Sequence, residues 1–303
     1  MPKKLLIIGG ASLVGNTIID YAKDDYELFA TEHNIPINNP KVSSVKLDLL
    51  DGGKKIIDYI KKIKPSAVIH TVAFPNVDFC ELNPKLTDSL HVKITEEISE
   101  ICSTVNSKLI YFSTDAVFDG NKSGKYIELD TPNPMSYYGK TKLEAEKIIL
   151  QNSNNLILRT TVIYGWHTRS RFTNWVLDSL KNKKTVTAFT DQYNTPTLVD
   201  DLAQSIFPII EKDISGLFHA SGKTCLNRFE FAKKLATTFN LDENLIIPTK
   251  SSEINQIAPR PKIGCLDSSK FEDKIDMKFN EIDSGISHIF SLSNKSTIAS
   301  NKV

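Results

Sequence analysis

The sequence predicts an α/β protein built on a doubly wound parallel sheet, with a smaller, discontinuous second lobe. Three observations carry this. Short apolar runs alternate with amphipathic stretches through the first half. A glycine turn follows the first apolar run directly. After Thr161 the alternation breaks, then resumes for one helix and one strand.

Leu5–Ile8 reads as a buried strand, and Leu13–Ala22 carries apolar residues at helical spacing. Glu27–Thr31 and Val45–Leu47 are the second and third strands. Lys54–Ile63 is a helix that Pro65 ends. Ala67–Thr71 is the fourth strand. Leu86–Cys102 reads as one long helix, with Leu90, Ile94, Ile98 and Ile101 on one face. Leu109–Ser113 is the fifth strand, Tyr138–Leu150 a helix and Leu156–Thr161 the sixth strand. Strands separated by helices imply right-handed crossovers, and ligands then lie beyond the carboxyl ends of the strands. Phe172–Leu180 looks helical, and Asp191–Thr197 reads as a loop. Leu198–Ile210 is a helix, Gly216–Ala220 a strand and Phe229–Phe239 amphipathic. The expected division is a dinucleotide-binding domain from 1–161 and 198–219, with a substrate-binding lobe from 162–197 and 220–290. The polar stretch 291–303 is expected to be a disordered tail.

The chain has 303 residues, enough for a proper core. Its net charge of +1 gives no field for gripping a polyanion, so nucleic acid is not an expected partner. The apolar run at Leu5 is far too short for a signal or membrane helix. No membrane association is expected, and the expected compartment is the cytoplasm. The four cysteines, Cys80, Cys102, Cys225 and Cys265, show no metal-ligand spacing and are expected to be free thiols. The six histidines form no H-x-x-x-H cluster, so no metal is expected.

Gly9-Gly10-Ala11-Ser12-Leu13-Val14-Gly15 joins the first strand to the first helix. Glycines there let the backbone approach a pyrophosphate, and the helix N-terminus offers free N–H groups and a positive dipole end. Gly9, Ser12, Leu13 and Val14 are therefore candidate cofactor contacts in a Rossmann arrangement. Glu32, after the second strand, either accepts the adenosine ribose hydroxyls and repels a 2′-phosphate or is a solvated surface glutamate. Asp48, after the third strand, suits an adenine contact or a plain turn.

Tyr138-Gly139-Lys140-Thr141-Lys142 places a phenol and an ammonium four residues apart, on one helix face. A phenol near pKa ~10 is a poor acid–base group at neutral pH, and a nearby ammonium lowers that value. The pair is expected to donate a proton to a forming alkoxide. Thr114, ending the fifth strand, is the natural third member, holding the substrate oxygen.

These segments resemble a known family. Ser113-Thr114-Asp115-Ala116-Val117-Phe118-Asp119-Gly120 is similar to a segment of the dTDP-4-dehydrorhamnose reductases, within the extended short-chain dehydrogenase/reductase superfamily. So are Tyr138-Gly139-Lys140-Thr141-Lys142 with Glu146, Val72–Glu81, Leu158–Gly165 and Asp191–Thr197. The resemblance runs from Leu5 to about Phe290. It implies an NAD(P)-dependent oxidoreductase that uses NADH or NADPH on a nucleotide-linked 4-keto sugar. Thr114, Tyr138 and Lys142 would carry catalysis, with Tyr138 and Lys142 also touching the cofactor. Thr71, Ala73 and Arg159 would line or brace the cofactor cleft. Asp115 and Arg260 are the substrate-binding candidates, Arg260 at the diphosphate. A homodimer is the candidate assembly. Ser12 stands where the family's glycine pattern has a middle glycine. Ala116 and Val162 stand where members commonly carry an aromatic and a tryptophan, which bears on the particular sugar.

Two other readings belong beside this one. A non-catalytic dinucleotide-binding subunit, like the methionine adenosyltransferase β-subunit, resembles the same reductases. An extended-family epimerase is the second. A 4,6-dehydratase fits less well, because such enzymes carry Thr-Asp-Glu where this chain has Thr114-Asp115-Ala116.

Overall fold

The computed structural model describes residues 2–300, the last five by backbone alone. In chain order the strands are β1 (Lys3–Ile8), β2 (Tyr26–Glu32), β3 (Val42–Lys46), β4 (Ala67–His70), β5 (Lys108–Thr114), β6 (Leu156–Thr160), β7 (Ile163–Tyr164), β8 (Val186–Phe189), β9 (Tyr193–Asn194), β10 (Thr197–Leu198), β11 (Gly216–His219), β12 (Leu226–Asn227), β13 (Ile246–Thr249) and β14 (Ile263–Gly264). The helices are α1 (Leu13–Tyr21), α2 (Lys54–Ile63), α3 (Val77–Leu82), α4 (Pro84–Asp88), α5 (Ile94–Thr104), α6 (Tyr137–Ile149), α7 (Arg171–Lys181), α8 (Val199–Glu211), α9 (Arg228–Thr238), α10 (Ser269–Ile275) and α11 (Ile282–Ser300).

Seven strands form one parallel sheet in the order β11-β6-β5-β4-β1-β2-β3. Successive side chains on a strand point to opposite faces, and the sheet uses both. Leu5, Ile7, Ile69, Ile110 and Leu158 pack with α1 and α8 on one side. Leu6, Ile8, Val68, Tyr111 and Ile157 pack with α2, α5 and α6 on the other. A sheet covered on both faces explains why its strands read as unbroken apolar runs. The strand order reverses between β1 and β4, and the crevice for a ligand opens beyond their carboxyl ends. The expected doubly wound parallel sheet is the observed one.

Beyond β6 the chain builds three small sheets, β10-β7, β12-β9-β14 and β13-β8. A separate apolar cluster joins Tyr164, Val176, Leu177, Val186, Phe231, Leu235, Ile282, Ile286 and Ile289. β11 pairs with β6, so α8 and β11 return to the main sheet from within this second region.

Several expectations are corrected. The helix expected over Leu86–Cys102 is interrupted: a π-helical turn, Ser89–Lys93, separates α4 from α5. The wider turn sets His91 into the interior while Leu90, Ile94, Ile98 and Ile101 stay buried. The expected loop Asp191–Thr197 contains β9 and the start of β10. The stretch 291–303, expected as a disordered tail, continues α11 as far as Ser300, and 301–303 lie outside the described residues. Ile282, Ile286 and Ile289 anchor that helix, and Ser293 is buried beyond them. Two of the cysteines expected as free thiols, Cys225 and Cys265, form a disulfide, their Cα atoms 5.6 Å apart. They lie 40 residues apart in sequence and meet because β12 and β14 both pair with β9. Cys80 and Cys102 are free and buried.

Candidate active site

The candidate residues collect along the carboxyl edge of the sheet. Gly9 follows β1, Glu32 ends β2, Thr71 and Ala73 follow β4, and Thr114 ends β5. Each takes its place from the strand that precedes it.

At the first turn Gly9 has φ +87°, a backbone conformation suited to glycine. A Cβ there would lie 2.6 Å from Val72 Cγ2 and 2.7 Å from Thr71 Oγ1. Ser12 is the N-cap of α1, accepting from the Gly15 N–H at 3.0 Å. Its hydroxyl is also 2.9 Å from Thr71 Oγ1. Thr71 reaches two carbonyls, Ile8 O at 2.9 Å and Gly9 O at 3.2 Å, which can only accept. The Thr71 proton therefore goes to a carbonyl, and Ser12 donates to Thr71. In this arrangement both functions of the Ser12 hydroxyl are engaged within the protein. Leu13 and Val14 carry first-turn amides, which an α-helix leaves without intrahelical acceptors. This turn fits a pyrophosphate through its backbone, with Ser12 as the cap that holds the helix start.

Glu32 Oε2 accepts the Ile37 N–H at 2.6 Å, so the loop after β2 fixes its carboxylate at the strand end. Asp48 accepts the Leu50 N–H at 2.9 Å and lies 3.4 Å from His33 Nε2.

Thr114 and Tyr138 come together. Ser136 caps α6 through the Gly139 N–H at 3.2 Å, and Tyr138 enters in the first turn. Burial, with the Asp115 carboxylate adding to it, holds its pKa above the ordinary value against the neighbouring Thr114 side chain, which acts to lower it. The phenol is thus kept neutral, the form of a proton donor. The lowering expected from Lys142 is absent from this geometry, because the amine sits elsewhere. Lys142 Nζ lies 2.6 Å from the Tyr111 hydroxyl and 2.7 Å from the Phe112 carbonyl. Burial brings its pKa down to about 7, against the pull of Glu146.

Sequence reasoning missed His91. The Phe74 N–H donates to His91 Nε2 at 2.8 Å, so the ring proton resides on Nδ1, 3.0 Å from Thr141 Oγ1. Thr141 donates in turn to the Tyr138 carbonyl at 3.0 Å. The ring stands edge-on to Tyr138, centroids 5.6 Å apart. Burial first, then Lys142 and His70, bring the His91 pKa down to about 3. This neutral histidine ties the loop after β4 to the helix carrying Tyr138. Its only sequence signal was a histidine within an apolar helix face.

Asp115 lies buried in the turn after β5, its pKa raised by that burial. Its Oδ2 accepts from Asn194 Nδ2 at 2.7 Å, and Thr114 Oγ1 lies 3.1 Å from its Oδ1. Gly264 of β14 packs so closely that a Cβ would strike this carboxylate and come 2.7 Å from Asn194 Nδ2. Arg260 is paired with Asp78 of α3 at 3.0 Å and bonded to the Ala258 carbonyl, which holds the Asp78 carboxyl below its ordinary range. Arg228, at the start of α9, lies over the Phe172 ring at 5.2 Å and was also missed. Burial lowers its pKa to about 10, while Asp115 acts to raise it.

Behind the site, Arg159 of β6 grips Glu146 of α6 through two bonds of 2.9 and 2.6 Å. Ser113 of β5 donates to the same carboxylate. Arg159 braces α6 from a buried position. Among the described residues no group of His, Cys, Asp and Glu side chains could hold a metal ion.

A parallel sheet with a phosphate-fitting turn after β1 and a Thr–Tyr pair after β5 defines a Rossmann-type, NAD(P)-dependent oxidoreductase class. The RmlD substrate-binding domain model matches residues 3–294, and the chain belongs to that family, the family of the dTDP-4-dehydrorhamnose reductases. The dTDP-4-dehydrorhamnose reductase of Aggregatibacter actinomycetemcomitans is 30% identical over 283 residues, covering 89% of this chain and 92% of the relative. The methionine adenosyltransferase 2 subunit beta of Bos taurus is 30% identical over 280 residues, covering 89% and 82%. The crystal structure of a Bacillus anthracis dTDP-4-dehydrorhamnose reductase in complex with NADP shares the fold, with TM-score 0.86 at 23% identity, covering 96% of this chain and 99% of that one.

Proposed function

We propose that this chain is an NAD(P)H-dependent reductase of a nucleotide-linked 4-keto sugar, of the dTDP-4-dehydrorhamnose reductase kind, serving dTDP-rhamnose biosynthesis. The observation that carries the reading is the buried, neutral Tyr138 phenol beside Thr114 at the carboxyl edge of the sheet. The site's polarity suits reduction: a protonated phenol is ready where a ketone oxygen gains charge.

The cofactor, NADH or NADPH, supplies a hydride when bound. Gly9, Leu13 and Val14 would receive its pyrophosphate through backbone groups, with Ser12 capping the helix. Glu32 and Asp48 would meet the adenosine, and Thr71 and Ala73 would line the cleft. Tyr138 gives its proton to the C4 oxygen, and Thr114 holds that oxygen in place. Lys142, titrating near neutrality, would meet the ribose hydroxyls of the cofactor. Asp115, held by Asn194, would meet the sugar. Arg260, set between two prolines, would meet the diphosphate.

The division of labour follows the chain: 1–161 with 198–219 for the dinucleotide, 162–197 with 220–290 for the substrate. Among the described residues no helix is long and apolar enough to cross a membrane. We place the reaction in the cytoplasm and take a homodimer as the assembly. The test is loss of nicotinamide absorbance across a panel of nucleotide-linked 4-keto sugars. Turnover of a dTDP-4-keto sugar is the expected result. Oxidation with none of the panel would overturn the reading.

A further inference from the structure

What holds the Lys142 amine is a residue that the chemistry above does not use. Tyr111 and Ser113 lie two apart on β5 and so point to one side, toward α6. α6 meets them with Lys142 and Glu146, one helical turn apart. The amine lies 2.6 Å from the Tyr111 hydroxyl, 2.7 Å from the Phe112 carbonyl and 3.9 Å from the Tyr111 ring centroid. Thr95 of α5 also faces the Tyr111 hydroxyl. Thr95 Oγ1 lies 3.3 Å from His70 Nε2.

The polarity follows from the donors available. An ammonium only donates and a carbonyl only accepts, whereas a phenol does both. A charged Lys142 therefore donates to Phe112 O and to Tyr111. The other groups facing this pair are Glu146 and Tyr138 of α6, His70 of β4 and His91 of the π turn. Burial keeps both histidines neutral, so Glu146 is the one anion among them.

We propose that Tyr111 is a positioning residue of this site: its hydroxyl is the acceptor that fixes the Lys142 amine against the sheet and keeps it charged. The proposal rests on the reading of Lys142 as catalytic, but its first test does not need turnover. A bond from a charged donor favours the charged form, so deleting the acceptor lets burial act unopposed at that point. The expected change is a fall of about one pH unit in the Lys142 midpoint, a tenfold change in its protonation constant.

The experiment uses the full chain with lysines carbon-13 labelled at Cε. The Lys142 signal is assigned by its loss in Lys142→Met, then titrated in wild type and in Tyr111→Phe, which keeps the ring. A midpoint about one unit lower in Tyr111→Phe is expected, and an unchanged or higher midpoint would overturn the proposal. Thermal melting verifies the fold. If Tyr111→Phe does not fold, wild type carrying 3-fluorotyrosine in place of tyrosine replaces it: the less basic phenol oxygen is a weaker acceptor, so a smaller shift in the same direction is expected, and a wild-type midpoint overturns the proposal. The alkaline limb of kcat/KM should move with the midpoint. A moved midpoint with an unmoved limb would remove Lys142, and with it Tyr111, from the chemistry. Absence of turnover in the wild type would count against the reductase reading alone and leave the titration result standing.

Discussion

Ser12→Ala separates two roles that this side chain could have at the phosphate turn. The structure commits its hydroxyl twice, as acceptor from the Gly15 N–H at 3.0 Å and as donor to Thr71 at 2.9 Å. Losing an N-cap serine to alanine costs about 0.5–2 kcal/mol. Losing the bond to a partly buried hydroxyl costs a further ~0.5–1.5 kcal/mol. The two share one oxygen and do not simply add, so a total of about 1–2 kcal/mol is expected from these ranges. Cofactor affinity should change little, by about threefold or less, because the hydroxyl is already engaged within the protein. A direct bond to the charged phosphate would be worth ~1.5–3 kcal/mol, a tenfold or greater loss of affinity. Urea unfolding reads the first quantity, and titration of NADH by fluorescence reads the second. Unchanged stability together with tenfold weaker binding would refute the capping argument and restore a phosphate contact.

Three further outcomes follow from the same geometry. Glu32 is held at the end of β2 by the Ile37 N–H, so wild type should prefer NADH, and Glu32→Ala should narrow the kcat/KM gap between NADH and NADPH; a wild-type preference for NADPH contradicts this. Glu146→Ala leaves Arg159 charged, buried and unpaired, at a cost of about 3–5 kcal/mol in urea unfolding; a loss below ~1 kcal/mol would show that the pair does not brace α6. Cys225→Ser opens the 225–265 link and should lower the melting temperature in the absence of reductant, by the equivalent of roughly 2–4 kcal/mol. Wild type with added dithiol should then melt like the variant, and equal melting in all three cases would show that the link adds no stability.

Much of this was legible because periodicity and turn chemistry are local. Lys54–Ile63 is a helix at both the expected ends, since its apolar positions repeat at helical spacing and Pro65 stops it. Thr114 and Tyr138 are neighbours because a strand end and the first turn of the following helix both lie on the carboxyl edge. What stayed hidden depends on contacts between distant segments. Spacing puts Tyr138 and Lys142 on one helix face but cannot show that β5 offers Tyr111 and the Phe112 carbonyl to the amine. The Cys225–Cys265 link requires knowing that β9 lies between β12 and β14. The π turn that brings His91 inward leaves the apolar periodicity of its helix nearly intact, so the pattern did not reveal it. The end of α11 is polar and gave no signal of order, while its anchors, Ile282, Ile286 and Ile289, lie upstream. Val162 departs from the family pattern and also adopts φ +44°, a left-handed conformation that costs a β-branched residue roughly 1–3 kcal/mol. Spacing holds no trace of that strain.

The central claim is that Tyr138 protonates a sugar ketone while a bound nicotinamide delivers hydride. Its most direct test is one paired measurement: NAD(P)H oxidation with a dTDP-4-keto sugar by wild type and by Tyr138→Phe, each with its cofactor dissociation constant measured alongside. The variant lacks only the donor hydroxyl. It should bind cofactor as wild type does and turn over about 10²–10⁴-fold more slowly, the usual worth of a positioned acid. A Tyr138→Phe enzyme that oxidises the cofactor at the wild-type rate would contradict the account.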